Sequence, residues 1–265
     1  MRFSCSLFIS ALTLFSCQKG EHYADIEVIG HAGMGLDMSN SIYHDNSLES
    51  VELALSMSGS NGVEIDVQQD KNGTLWLFHD ESIDESTTAT GCIADKSTTE
   101  MENVRYKSLH KEQLIKLSEL NFDNFQSKSL FLDLRFYQSC SKSYVDGLKF
   151  KNALLDLQLQ TIDKLYLIIP SATYLPIFEA DFKVLYANDI FENCFSVLNQ
   201  DSLVKGIVIR NQNINGSQVE TLKSMDKRVY IFEMRSPKGI KSALKKYPTG
   251  IITDDLRAAI IQRRK

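Results

Sequence analysis

Two acids one residue apart, Glu64 and Asp66, interrupt the apolar run Val63-Glu64-Ile65-Asp66-Val67. Alternate side chains of a strand face opposite sides, so both carboxylates share one face while Val63, Ile65 and Val67 take the other. Two buried anions this close are unfavourable unless a cation or hydrogen-bond donors compensate them. One such acid is as readily explained by an interior Lys or Arg. For two at this spacing, a hard, oxygen-liganded divalent metal (Mg or Ca) is the better account. A third acid fits the same picture: in residues 130–135 leucines alternate with Phe131, Asp133 and Arg135, which turns Asp133 inward from another strand. Arg135, one step further out, has the fork to hold an anionic substrate; a plain ion pair with Asp133 or Glu64 is the alternative. His31 and His79 each end an apolar run, and two imidazoles beside a carboxylate cluster make an acid–base pair. His22, His44 and His110 lack that context and read as surface residues.

Nine short β-branched or apolar runs can position these side chains: 26–30, 63–67, 75–78, 130–134, 165–169, 184–186, 207–209, 229–232 and 251–253. Helix-like stretches separate most of them. Ser47 is a good N-cap for 47–58, where Leu48, Val51 and Leu55 recur at helical spacing, and 111–120 and 239–246 are further candidates. This alternation predicts a parallel α/β architecture. Residues 68–74 break it, being too few for a crossover, and Asn72-Gly73 is a hairpin-turn signal. The run 75–78 is therefore expected as an antiparallel return strand after the second barrel strand. With the turn centred near Lys71-Asn72, His79 falls opposite Glu64. Eight parallel strands remain, the count of a closed TIM (β/α)8 barrel whose active site lies at the C-terminal strand ends. Residues 80–110, rich in Ser, Thr, Asp and Glu, read as a loop insertion on that catalytic face.

The 265 residues are 43% hydrophobic and 24% charged, an ordinary globular composition that excludes collagen-like, disordered and polytopic membrane chains. The formal charge is −5, and with no basic block before 257–265 a nucleic-acid partner gains no support. At the N-terminus Arg2 precedes an apolar stretch, 7–15, too short to span a bilayer and suited to a secretory signal. Leu14-Phe15-Ser16-Cys17 resembles a bacterial lipobox, in which Cys17 would be lipidated; ordinary signal cleavage nearby is the alternative. Residues 1–16 are then a signal peptide, 17–25 a tether and 26–265 the barrel domain. A periplasmic or cell-surface lipoprotein is expected, touching the membrane only through its lipid. Export permits a disulfide, and Cys92, Cys140 and Cys194 lack the spacing of a zinc site. Cys92 follows the return strand and Cys140 follows 130–134, so both should sit on the catalytic rim, and they are the expected pair.

In order along the chain come His31-Ala32-Gly33, Asp45-Asn46-Ser47-Leu48-Glu49, Gly62-Val63-Glu64-Ile65-Asp66-Val67, Lys71-Asn72-Gly73 and Phe78-His79-Asp80. Leu132-Asp133-Leu134-Arg135 and Gly250-Ile251-Ile252-Thr253-Asp254 follow. The series resembles the glycerophosphodiester phosphodiesterase family from about residue 26 to 256. That resemblance implies a TIM barrel that hydrolyses glycerophosphodiesters to an alcohol and a phosphomonoester, using a divalent metal and two histidines. By position it makes His31 and His79 the acid–base pair and Glu64 and Asp66 metal ligands. The third ligand, usually a glutamate two residues before a lysine, becomes Asp133 before Arg135. Asp45 stands where a glutamate is usual. Two family arginines are missing, at Ala32 and in Asp84-Glu85-Ser86-Thr87, and a charge-assisted phosphate contact is worth about 1.5–3 kcal/mol. Arg135, Arg210 or the metal would compensate, or the preferred small-molecule phosphodiester differs. A phosphodiester-binding lipoprotein without turnover, and a cyclising, phospholipase-like transfer on the same barrel, are the alternatives.

Overall fold

The computed structural model describes residues 23–36, 38, 41–141 and 143–264; the signal segment and Cys17 lie outside them. The described strands are β1 (Glu27–Gly30), β2 (Gly62–Gln69), β3 (Leu75–Leu77), β4 (Ser129–Leu134), β5 (Tyr137–Gln138), β6 (Ser143–Tyr144), β7 (Leu165–Ile169), β8 (Val184–Ala187), β9 (Gly206–Arg210), β10 (Arg228–Phe232) and β11 (Gly250–Thr253). The helices are α1 (Leu48–Ser56), α2 (Thr98–Met101), α3 (Gly147–Asp156), α4 (Leu175–Phe178), α5 (Phe191–Gln200), α6 (Gly216–Ser224), α7 (Pro237–Leu244) and α8 (Leu256–Arg263). Eight strands pair in parallel in the order β1-β2-β4-β7-β8-β9-β10-β11, and β11 pairs back to β1. The sheet is thus a closed eight-stranded barrel, with β5 and β6 a separate hairpin above it.

Alternation sorts the side chains as the pattern requires. Val63, Ile65 and Val67 turn outward with Leu130, Leu132 and Leu134 into the layer beneath the helices. Ile29, Phe131, Ile168, Leu185, Val208 and Tyr230 fill the interior; each such buried side chain contributes about 1.5–3 kcal/mol. In helix α1 the Ser47 hydroxyl accepts the Ser50 N–H, satisfying one of the donors left over at a helix start.

The segment between β2 and β4 departs from expectation. Strand β3 runs antiparallel to β2 with Val67 opposite Leu77 and Gln69 opposite Leu75. The turn therefore centres on Asn72, and the register runs one residue off the one that sets His79 against Glu64. Asp70 fixes that centre: its Oδ1 accepts the N–H groups of Asn72, Gly73 and Thr74, while Gly73 takes the left-handed φ of 103°. No helix forms over 111–120. Lys111 is left-handed (φ 53°), and Leu77 N–H donates to the Ile115 carbonyl at 3.0 Å, so the chain extends along β3 and only Leu117–Glu119 makes a 3-10 turn. Residues 80–110 pack an apolar cluster of their own, with Ile83, Ile93, Met101 and Tyr106 buried against Trp76 and Phe78. Cys92 and Cys140 are joined, their Cα atoms 5.9 Å apart, which ties this insertion to the chain after β4. Cys194 is free and buried in α5.

At the opposite, N-terminal end of the barrel the Arg228 guanidinium donates to Glu27 Oε1 (2.8 Å) and to the Tyr230 hydroxyl (3.0 Å), and Tyr230 donates to Glu27 Oε2 (2.8 Å). Tyr23 is buried there, its ring 5.5 Å from that of Tyr247. Tyr23 is accordingly docked on the domain. Among the described residues no helix is long and apolar enough to cross a membrane.

Candidate active site

The C-terminal strand ends surround a cavity of about 670 Å³ whose wall includes His31, Glu64, His79, Asp133, Arg135 and Asp254. Strands β2 and β4 run in register with Asp66 beside Asp133 and Glu64 beside Phe131, so three carboxylates converge from two neighbouring strands. One oxygen from each of Glu64, Asp66 and Asp133 lies within 4.8 Å of the others. His31 leaves β1, and its Nδ1 lies 2.7 Å from Asp254 Oδ1, the residue that follows β11. His79 follows β3, with Nδ1 2.9 Å from Asp80 Oδ1. An ionised carboxylate only accepts, so each Nδ1 carries the hydrogen and each Nε2 is left for chemistry. The His31 Nε2 is 3.8 Å from Glu64 Oε2.

The acids are unequally compensated. Asp66 accepts Arg135 through Nε (3.0 Å) and Nη2 (2.5 Å), and its other oxygen accepts the Asn46 side-chain N–H at 2.9 Å. Burial alone would push its carboxyl up, but the Arg135 charge, with His79 and His31, outweighs that and holds it below the usual range. Burial pushes the Glu64 carboxyl up to about 8, the charges of Asp66 and Asp133 adding to the effect; the Ala32 N–H, at 3.0 Å from Oε2, opposes it. Burial likewise raises Asp133, whose Oδ1 is buried without a hydrogen-bond partner. Burial opposes a charged His31 ring, yet the bond to Asp254 and the charges of Glu64, Asp254 and Asp66 lift it to about 9.

This donor set fits a divalent cation. All three groups are hard oxygens, and an ion with oxygen contacts of about 2.3–2.6 Å bridges ligands separated by this much. The orphaned Asp133 oxygen supplies a lone pair that no protein group uses.

Arg135 and Arg210, expected to hold an anionic substrate, line the cavity and are engaged in ion pairs. Arg135 grips Asp66, and Asp133 is only within 3.7 Å, because its fork reaches across from β4 to β2. Arg210 is held by Asp189 (3.0 Å) and Glu233 (2.6 Å). His44 is half-buried: its ring stacks on Tyr106 at 3.8 Å and its Nδ1 lies 3.3 Å from Asp45. His110 is exposed, and His22 lies outside the described residues. Asp45 stays out of the carboxylate cluster. Two residues carry weight that sequence reasoning did not assign. Asn46, left-handed at φ 55° and fully buried, exchanges two hydrogen bonds with Asp66, and Asp254 orients His31. Both stand within motifs of the family resemblance, beside the N-cap Ser47 and at the end of the last strand, but no periodicity gives them a role.

The fold of this chain is shared by several solved phosphodiesterases. The glycerophosphodiester phosphodiesterase from Thermotoga maritima superposes with a TM-score of 0.70 at 18% identity, covering 91% of this chain and 98% of that one. A phosphodiesterase from Oleispira antarctica, solved with its product sn-glycerol-3-phosphate, gives 0.73 at 17% identity over 90% and 97% of the two chains. A glycerophosphodiester phosphodiesterase from Bacillus altitudinis is 37% identical over 59 residues, a stretch covering 22% of this chain and 24% of that relative's length. The pattern of the glycerophosphoryl diester phosphodiesterase family matches residues 31–255. The chain belongs to that family of phosphoric diester hydrolases.

Proposed function

We propose that this protein hydrolyses glycerophosphodiesters, or close relatives of them, to an alcohol and a phosphomonoester, with Mg or Ca held by Glu64, Asp66 and Asp133. One observation carries the reading: a buried, unpartnered Asp133 oxygen beside two more carboxylates, in a cavity shared by two aspartate-held imidazoles. When bound, such a cation polarises a phosphoryl oxygen and offsets the charge developing on it. The Nε2 of one histidine takes the proton of the attacking water, and the Nε2 of the other returns a proton to the leaving alkoxide. Asp254 and Asp80 keep both rings turned to the cavity. Arg135 and Asn46 keep Asp66 ionised and aimed. The product named for the Oleispira antarctica relative, sn-glycerol-3-phosphate, supports a phosphomonoester of that class.

The same reading makes the protein an envelope lipoprotein, cleaved after residue 16 and anchored through Cys17. Cys17 precedes the docked Tyr23 by six residues, a reach of about 20 Å at full extension. Tyr23 precedes β1, at the barrel end opposite the cavity. An anchor there leaves the mouth facing away from its own membrane, which suits a water-soluble, deacylated substrate. Phosphorus NMR of glycerophosphodiesters incubated with Mg²⁺, Ca²⁺ or EDTA tests the activity. A phosphomonoester formed only with metal is expected; a cyclic phosphate would assign the transfer reaction instead, and no product from folded, metal-loaded protein would overturn the reading.

A further inference from the structure

Three arginines line the cavity, and two are held fast: Arg135 by Asp66, and Arg210 by Asp189 and Glu233 with its guanidinium 5.1 Å from the Phe232 ring. Arg235 differs. Its side chain is 56% exposed, and its polar contact among the described residues is an approach of Nε to Asp254 Oδ2 at 3.7 Å, too long for a hydrogen bond. The backbone brings it there. Glu233 takes a left-handed φ of 65°, a conformation that disfavours a non-glycine residue. Past that bend Met234 is buried, Glu233 meets Arg210 and Arg235 lies at the mouth. Because β10, β11 and β1 are neighbours, Arg235, Asp254 and His31 follow one another along one side of the cavity. On that side Ala32, beside His31, offers only a methyl group and is fully buried.

We propose that Arg235 is the residue that grips a non-bridging oxygen of the substrate phosphate and, after cleavage, the product phosphomonoester. The assignment rests on the phosphodiesterase reading. A guanidinium stays charged at every working pH and matches two phosphate oxygens at once. Here it is kept near by the attraction of a buried carboxylate, with no hydrogen bond to break when an anion arrives. Arg135 and Arg210 would each have to abandon an ion pair to do the same.

The test compares wild type with Arg235→Ala, Arg235→Lys and, as a control for the lost charge, the exposed Arg257→Ala. Three quantities are read in Mg²⁺ buffer: kcat and KM for glycerophosphocholine, and calorimetric affinity for sn-glycerol-3-phosphate, which needs no turnover. Loss of one charge-assisted phosphate contact predicts a KM raised about 10–100-fold and product affinity weakened to match, part of it recovered in Arg235→Lys. The pH profile of kcat stays in place. If KM and product affinity in Arg235→Ala equal those of Arg257→Ala, or only the pH profile moves, Arg235 merely screens Asp254 and the proposal is wrong. A wild type that binds the product without turning over substrate breaks the phosphodiesterase reading, and the affinity comparison then still decides for or against Arg235.

Discussion

The two ends of the barrel compensate their acids in opposite ways. At the N-terminal end Glu27 has both oxygens matched, one by Arg228 and one by Tyr230, and the Arg228 guanidinium also lies over the Tyr166 and Tyr230 rings. At the C-terminal end Glu64, Asp66, Asp133 and Asp254 converge on Arg135 and His31, and an Asp133 oxygen has no partner. Buried acids are tolerated when satisfied, and a cluster left short of positive charge is a site prepared for a cation or a reacting anion. The contrast separates a compensated charge group from one left short of compensation.

The largest effects should come from the catalytic end. Removing either imidazole, in His31→Ala or His79→Ala, should lower kcat by about 10²–10⁴-fold; steady-state assays check it. Next comes Glu27→Gln at the other end, which should affect stability and not turnover. Leaving Arg228 without its charge partner costs on the order of 1–3 kcal/mol and lowers Tm by about 2–10 °C, with kcat unchanged. Equal damage to activity from both ends would erase the distinction.

The pH dependence sharpens it further. Glu64 and His31 bind their protons more tightly folded than unfolded. The Glu64 contribution to stability is complete below its ordinary 4.5 and lost as pH passes about 8. That of His31 is complete below 6.5 and lost by about 9. Metal-free protein should therefore melt at progressively lower temperature from about pH 5 to 9. Saturating Mg²⁺ or Ca²⁺ should remove the Glu64 share, and metal affinity should rise with pH up to about 8 as the competing proton leaves. A metal-free Tm that climbs over this range would contradict the assignment. The smallest effect is expected at the rim: breaking Cys92–Cys140 with paired Ser substitutions should speed hydrogen exchange across 80–110 and leave metal affinity unaltered.

Much of this was legible before any coordinates. Strict alternation in 63–67 and 130–134 is enough to put Glu64, Asp66 and Asp133 on the inner face, since slipping either strand by one residue would bury its charges under helices. What was not legible depends on the third dimension or on local capture of backbone groups. Asp70 moved the β2–β3 turn by one residue because its carboxylate collects three N–H groups, a preference no periodicity reports. Arg135 pairs with Asp66 on the next strand, a partner set by inter-strand offset. The 80–110 core has no period because it is built from irregular chain. Asn46 and Asp254 act from loops, where side-chain direction follows the backbone turn and not a repeat.

The central claim is that Glu64, Asp66 and Asp133 together form one divalent-cation site. Calorimetric titration of metal-stripped protein with Mg²⁺ and Ca²⁺ at pH 8, for wild type and Asp133→Asn, tests it most directly. We predict one cation per chain in the wild type and loss of that binding in the variant. No binding by folded wild type, or undiminished binding by Asp133→Asn, would contradict the account.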